Sequence, residues 1–141
     1  MQYKFHTLLN RTAHSAQNYL RPYLSELGLS PGQPKVLRCL ALLGPCSQRT
    51  LADHCEVDPS AICRMLDSLE REGLLLRSPS KTDRRTGEVS LTEKGRTVFD
   101  AWEARCMTIE ERMLQNFSPE ERTQFVEYLT RAYRNVGGRL L

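Results

Sequence analysis

The stretch LADHCEVDPSAICRMLDSLEREGLLLR, residues 51–77, decides the fold. Leu51 and Ala52 belong to a short helix that Ser47 is placed to cap, and Asp58-Pro59-Ser60 opens another. Ile62, Met65, Leu66 and Leu69 recur at helical spacing as the buried stripe of that second helix, and Gly73 stops it. Two short helices joined through the tight connection at Glu56 to Asp58 predict a helix-turn-helix. Steps of about 100° per residue put Ser60, Arg64, Asp67 and Arg71 on the face opposite the apolar stripe. Arg64 lies near the centre of that polar face. A helix that packs by one side and offers Ser and Arg near its N-terminal half has the form needed to enter a major groove. There Arg64 suits a bidentate contact to guanine, and Ser60 with the first helical amides suits a phosphate. Asp67 would repel a phosphate unless it pairs with Arg64 or Arg71, or accepts from cytosine.

Downstream, Leu74 to Arg77 and Glu88 to Leu91 read as short strands, and Pro79 to Gly87 is longer than an ordinary hairpin loop. From Arg77 to Gly87 the only acidic side chain before Glu88 is Asp83, against the cations Arg77, Lys81, Arg84 and Arg85. A protruding basic arm directly after a helix-turn-helix reads as a wing, suited to lie along the DNA backbone and put an arginine into the minor groove. Asp83 is expected to pair with a neighbouring arginine and fix the loop, leaving the other arginine to reach outward.

Helices flank this lobe on both sides. From Phe5, apolar residues at Leu8, Leu9, Ala16, Tyr19, Leu20, Tyr23, Leu24 and Leu27 follow helical spacing as far as Gly28, with Pro22 expected to kink the helix. Ser30-Pro31 with Gln33 predicts the start of the next helix, which carries Val36, Leu37, Leu40 and Leu43 and stops at Gly44-Pro45. Thr92 is placed to cap a long helix with Val98, Phe99, Trp102, Met107, Ile109 and Met113. Ser118-Pro119 with Glu121 opens a last one carrying Phe125, Val126, Leu129, Tyr133 and Val136. The fold class is therefore mainly α with a small β-hairpin wing: a winged helix-turn-helix lobe at 30–92, and terminal helices at 1–29 and 93–141. The wide apolar stripes of the terminal helices exceed what so small a lobe can cover, and predict a homodimer.

Composition agrees with one globular domain. The chain has 141 residues, 40% apolar and 26% charged, and its net charge of +3 is a mild excess that leaves the distribution of charge to carry the argument. The start lacks a signal-peptide pattern and no run is long and apolar enough for a membrane helix, so a cytoplasmic protein is expected. Cys39, Cys46, Cys55, Cys63 and Cys106 are odd in number and lack CxxC spacing, which suggests reduced thiols rather than a disulfide framework or zinc site. No metal or other cofactor is expected. There is no phosphate-binding glycine loop, HExxH or nucleophile elbow, and an enzyme is not expected.

At this point the sequence resembles the MarR family of bacterial winged-helix transcriptional regulators. The resemblance rests on LSPGQPKVL (29–37), the 51–77 stretch, TDRR (82–85), VSLTEKGR (89–96) and FSPEE (117–121), in that order. It implies a homodimer whose N-terminal helix and last two helices interlock, with two winged lobes reading a pseudo-palindromic operator in double-stranded DNA. Carried over by position, Ser60 and Arg64 match the recognition helix, and Asp83, Arg84 and Arg85 match the wing. The expected DNA-contacting set is Ser60, Ala61, Cys63, Arg64, Arg71, Lys81, Arg84 and Arg85, with Arg77 and Asp83 structuring the wing. Cys63 stands where the family usually has threonine, so operator preference does not transfer. The resemblance further implies repression relieved by a small aromatic or anionic effector, for which Tyr19, Tyr23 and Trp102 are the pocket candidates. Two alternatives are carried forward: oxidant sensing through Cys63, whose position near a helix N-terminal half and beside Arg64 favours a thiolate, and a winged helix used for protein contact without DNA.

Overall fold

A computed structural model describes residues 2–82 and 87–141. Six helices and one hairpin follow the chain as α1 (Phe5–Glu26), α2 (Gln33–Leu43), α3 (Gln48–Cys55), α4 (Pro59–Arg71), β1 (Leu75–Pro79), β2 (Gly87–Leu91), α5 (Glu93–Met113) and α6 (Pro119–Asn135). The fold class is the expected one, a mainly helical chain with a two-stranded antiparallel hairpin.

Most starts match their caps. The Ser47 hydroxyl accepts from the Thr50 amide at 3.0 Å, and Thr92 Oγ1 accepts from the Gly95 amide at 3.0 Å. Ser118 and Glu121 form a reciprocal capping box at 3.1 and 2.8 Å. The start of α2 is a correction. The Ser30 amide does donate to Gln33 Oε1 at 2.8 Å, but this closes a turn ahead of the helix. Gly32 takes a left-handed conformation at φ 89, which no helical residue can share, and α2 begins only at Gln33. The first helix also continues through Pro22 as a single element.

The core belongs to the lobe. Val36, Leu37 and Leu40 of α2, Leu51 and Cys55 of α3, Ile62, Leu66 and Leu69 of α4, Leu74, Leu75 and Val89 around the hairpin, and Phe99 of α5 form one buried cluster. Burial of this apolar surface away from water is the main force holding the lobe. Each strand is one or two residues longer toward the tip than expected: β1 takes in Pro79 and β2 begins at Gly87, with Arg77 paired to Val89. A third short piece joins them. Cys46 exchanges both backbone bonds with Val89, at 3.1 and 2.7 Å, and so ties the α2–α3 connection to the hairpin.

No side chain of α1 or α6 is buried, and Phe5, Leu8, Met107, Met113, Phe125, Val126 and Val136 are exposed. Phe99 and Trp102 of α5 are buried and Leu24 and Leu27 pack against the core, while the rest of the apolar stripes stands largely uncovered in a single chain.

Candidate nucleic-acid interface

The helix α4 presents two chemically distinct sides. Ile62, Leu66 and Leu69 are buried, while Ser60, Arg64, Asp67 and Arg71 are exposed; Ala61 and Cys63 lie half-buried between them. At its N-terminus the Asp58 carboxylate accepts from the amides of Ser60 at 3.1 Å and Ala61 at 3.3 Å, and also from the Ser60 hydroxyl. These bonds, that of the hydroxyl foremost, hold the Asp58 carboxyl below its usual range, and the positive charge of Arg64 adds to the effect. The first amides of α4, matched to a phosphate on sequence, are thus engaged by a carboxylate. The Ser60 hydroxyl, donating to Asp58, is exposed and keeps only its acceptor capacity for another partner.

Asp67 is paired with neither Arg64 nor Arg71. Arg77 Nη2 donates to Asp67 Oδ1 at 2.5 Å and to Glu70 Oε1 at 3.0 Å, while the Arg77 amide donates to Glu70 Oε2 at 2.9 Å. One arginine therefore ties the first strand of the wing to α4 through side chain and backbone together. Hydrogen bonds from Arg77 lower the Glu70 carboxyl, and Glu70 and Asp67 in turn raise the guanidinium of Arg77. This network gives the Asp67 carboxylate a cationic partner, although one guanidinium shared between Asp67 and Glu70 offsets only one of their two charges. Glu70 went unnoticed in the sequence because its partner is a strand residue, outside helical spacing.

Lys81 is exposed at the start of the loop. Asp83, Arg84 and Arg85 lie outside the described residues, and with them the expected pairing of Asp83. A second residue missed on sequence is Gly95. Added to it, a Cβ would stand 1.9 Å from the Leu74 carbonyl oxygen, so α5 crosses the start of the hairpin at backbone contact. A glycine inside a helical pattern is the signal that marks such an approach.

The three aromatics expected in one pocket are divided. Trp102, buried on α5, lines a groove of about 690 Å³ with Leu20, Leu24, Leu29, Pro34 and Arg38. Tyr19 lines a different groove with Ile109 and Met113. Tyr23 packs against Tyr19 with ring centroids 5.8 Å apart and carries the Arg105 guanidinium 4.3 Å from its own ring centre. Beside the Trp102 groove, Arg38 of α2 pairs with Glu103 of α5.

All five cysteines are free thiols; Cys63 is half-buried on α4. Burial foremost raises the thiols of Cys46, Cys55 and Cys106, which disfavours the reactive thiolate at these three sites. Among the described residues no group of three His, Cys, Asp or Glu side chains is arranged to hold a metal ion, and no helix is long and apolar enough to cross a membrane.

A sequence model of the MarR family matches residues 29–86, from the end of the first connection to the wing loop. The transcriptional regulator MhqR of Bacillus subtilis is 30% identical over 95% of this chain and 90% of its own length. The transcriptional repressor MdtR of the same organism is 34% identical over 72% of this chain and 65% of its own, so the chain spans just under two thirds of that relative. A crystal structure of a MarR-family transcriptional regulator from Silicibacter pomeroyi superposes with a TM-score of 0.79 at 30% identity, covering 95% of this chain and 89% of that one.

Proposed function

Because the chain belongs to the MarR family of transcriptional regulators, we propose that it acts as a homodimer which binds an inverted repeat in double-stranded DNA and represses by occupying a promoter. The observation that carries this reading is the outer face of α4. Arg64 stands there exposed, and the Asp67 carboxylate on the same face is paired with Arg77 of the first strand rather than with Arg64. In this reading Arg64 reads a base, and Ser60, Ala61 and Cys63 lie along the groove. Arg71, Lys81, Arg84 and Arg85 meet the backbone or minor groove. Residues 30–92 form the reading lobe, and 1–29 with 93–141 form the dimer body, whose uncovered apolar side chains on α1, α5 and α6 supply the second copy's contact surface.

Release follows from a small aromatic acid or similar anion in the Trp102 groove. Arg21, Lys35 and Arg38 surround that groove at the junction of α1, α2 and α5. A ligand there acts by preferring a dimer whose recognition helices are wrongly spaced for successive major grooves, since it can shift only an equilibrium between states that it distinguishes. Tyr19 and Tyr23 stand outside the lining of this groove and serve the helix packing instead.

The test is selection from a random duplex library. An enriched inverted repeat, with half-sites about one helical turn or roughly 34 Å apart, is the expected outcome. Weak binding that is lost in moderate salt without enrichment would move the wing and α4 to a protein-contact role.

A further inference from the structure

The end of α6 returns to the helix-turn-helix of its own chain and fastens to it at two points. The Tyr133 hydroxyl donates to Glu56 Oε1 at 2.9 Å. Past the helix end, the Arg139 guanidinium forms a fork on the Asp53 carboxylate at 2.9 and 3.2 Å, with a further bond to the Asp53 carbonyl at 3.4 Å. Asp53 lies in the last turn of α3, and Glu56 is the left-handed residue that ends it.

Local sequence builds this strap. Gly137 is left-handed at φ 88; its amide donates to the Arg134 carbonyl and that of Gly138 to the Tyr133 carbonyl, at 3.0 and 2.8 Å, which turns the chain sharply back. A Cβ on Gly138 would stand 2.4 Å from the Tyr133 ring, so the bare backbone of Gly138 lies directly against it and presents Arg139 to α3. Of the two anchor points, Glu56 is the pivot of the α3–α4 turn, holding φ 53 as a non-glycine residue. Gly137 and Arg139 of the strap line one groove together with Val57, Pro59 and Ile62 at the entry into α4. Fixing Glu56 therefore fixes the start of the helix that carries Ser60 and Arg64.

We propose that Tyr133 and Arg139 are positioning residues for DNA binding, which clamp the α3–α4 turn to the end of α6 and so hold each recognition helix at a set place relative to the dimer body. The proposal rests on the DNA-binding reading above. Both contacts are exposed, and such bonds are individually weak. That suits a clamp that must release when the dimer changes its spacing.

The experiment compares the full chain with a Tyr133→Phe/Arg139→Ala variant in two ways. Without DNA, amide exchange at residues 53–58 should quicken by about five- to tenfold, with α2 and the core unchanged. With DNA, selection over inverted repeats of varied half-site spacing should lose several-fold of the preference for one spacing. The charge exchange Asp53→Arg with Arg139→Asp should restore most of both. Unchanged exchange, or faster exchange with an unaltered spacing preference, would overturn the proposal, because a merely stabilising contact has no reason to alter spacing. Failure of the unmodified protein to select any duplex would overturn the DNA-binding reading and the positioning role with it; that result is visible before any variant is made.

Discussion

Arg77 is the residue on which the geometry of the wing depends, since its side chain and its amide bind two carboxylates of α4 at once. Its Glu70 partner is held below the ordinary value of 4.5 by these bonds. A carboxyl lowered on folding contributes stability that is complete above its ordinary value and is lost as pH falls through the lowered one. Arg77→Met should therefore lower Tm at neutral pH, and the gap to the unmodified protein should narrow below about pH 4 as Glu70 takes up its proton in both; a gap independent of pH would place the cost in packing. Arg64 offers a cleaner separation of roles, being exposed and removed from the core. Arg64→Ala should cost about 1 to 3 kcal/mol of DNA binding and relax preference at a single base pair. Uniform weakening across sequences, measured by competition against the selected operator, would make it a phosphate contact instead.

Legibility was highest at the scale of the element, for a physical reason. Caps and stripes are local, so Ser47, Asp58, Thr92 and Ser118 each announced a helix that the structure contains. The two faces of α4 followed from periodicity alone. What escaped was contact between elements distant in sequence: the Arg77 bridge to Glu70, the Cys46 bridge to Val89, and the separation of Tyr19 and Tyr23 from the Trp102 groove. The α2 start failed for a local reason, because a left-handed Gly32 outweighs a well-formed Ser-Pro-x-Gln signal. Gly95 is the inter-element contact whose removal is simplest to test. Gly95→Ala adds one carbon where the obstacle is the Leu74 backbone, which cannot rotate away as a side chain would. The variant should lose about 1 to 3 kcal/mol or more by forcing α5 off the hairpin, read as a lower urea midpoint at unchanged slope. Stability equal to the parent would mean that α5 already has room to shift.

At the scale of the molecule, the unsatisfied surface is the argument. A chain that buries its lobe thoroughly yet leaves Val126 and Leu129 of α6 exposed has apolar area to place, and those two residues, three apart on one helix, share a face. Val126→Glu with Leu129→Glu puts two charges on that face without touching the core. The variant should keep the helical circular dichroism of the folded chain, melt somewhat lower for want of its partner, and sediment at half the mass of the parent. Its DNA binding then tests the whole reading, because joining two lobes makes the second contact intramolecular and multiplies affinity by about 10² to 10⁴. The affinity of the single lobe should fall by that order. Its dependence on salt should change as well: the slope of log K against log salt is about −0.9 for each phosphate neutralised, so losing one lobe should halve it. A monomer with the full slope would mean that one lobe makes all the phosphate contacts, and the second copy would then serve some purpose other than reading a second half-site.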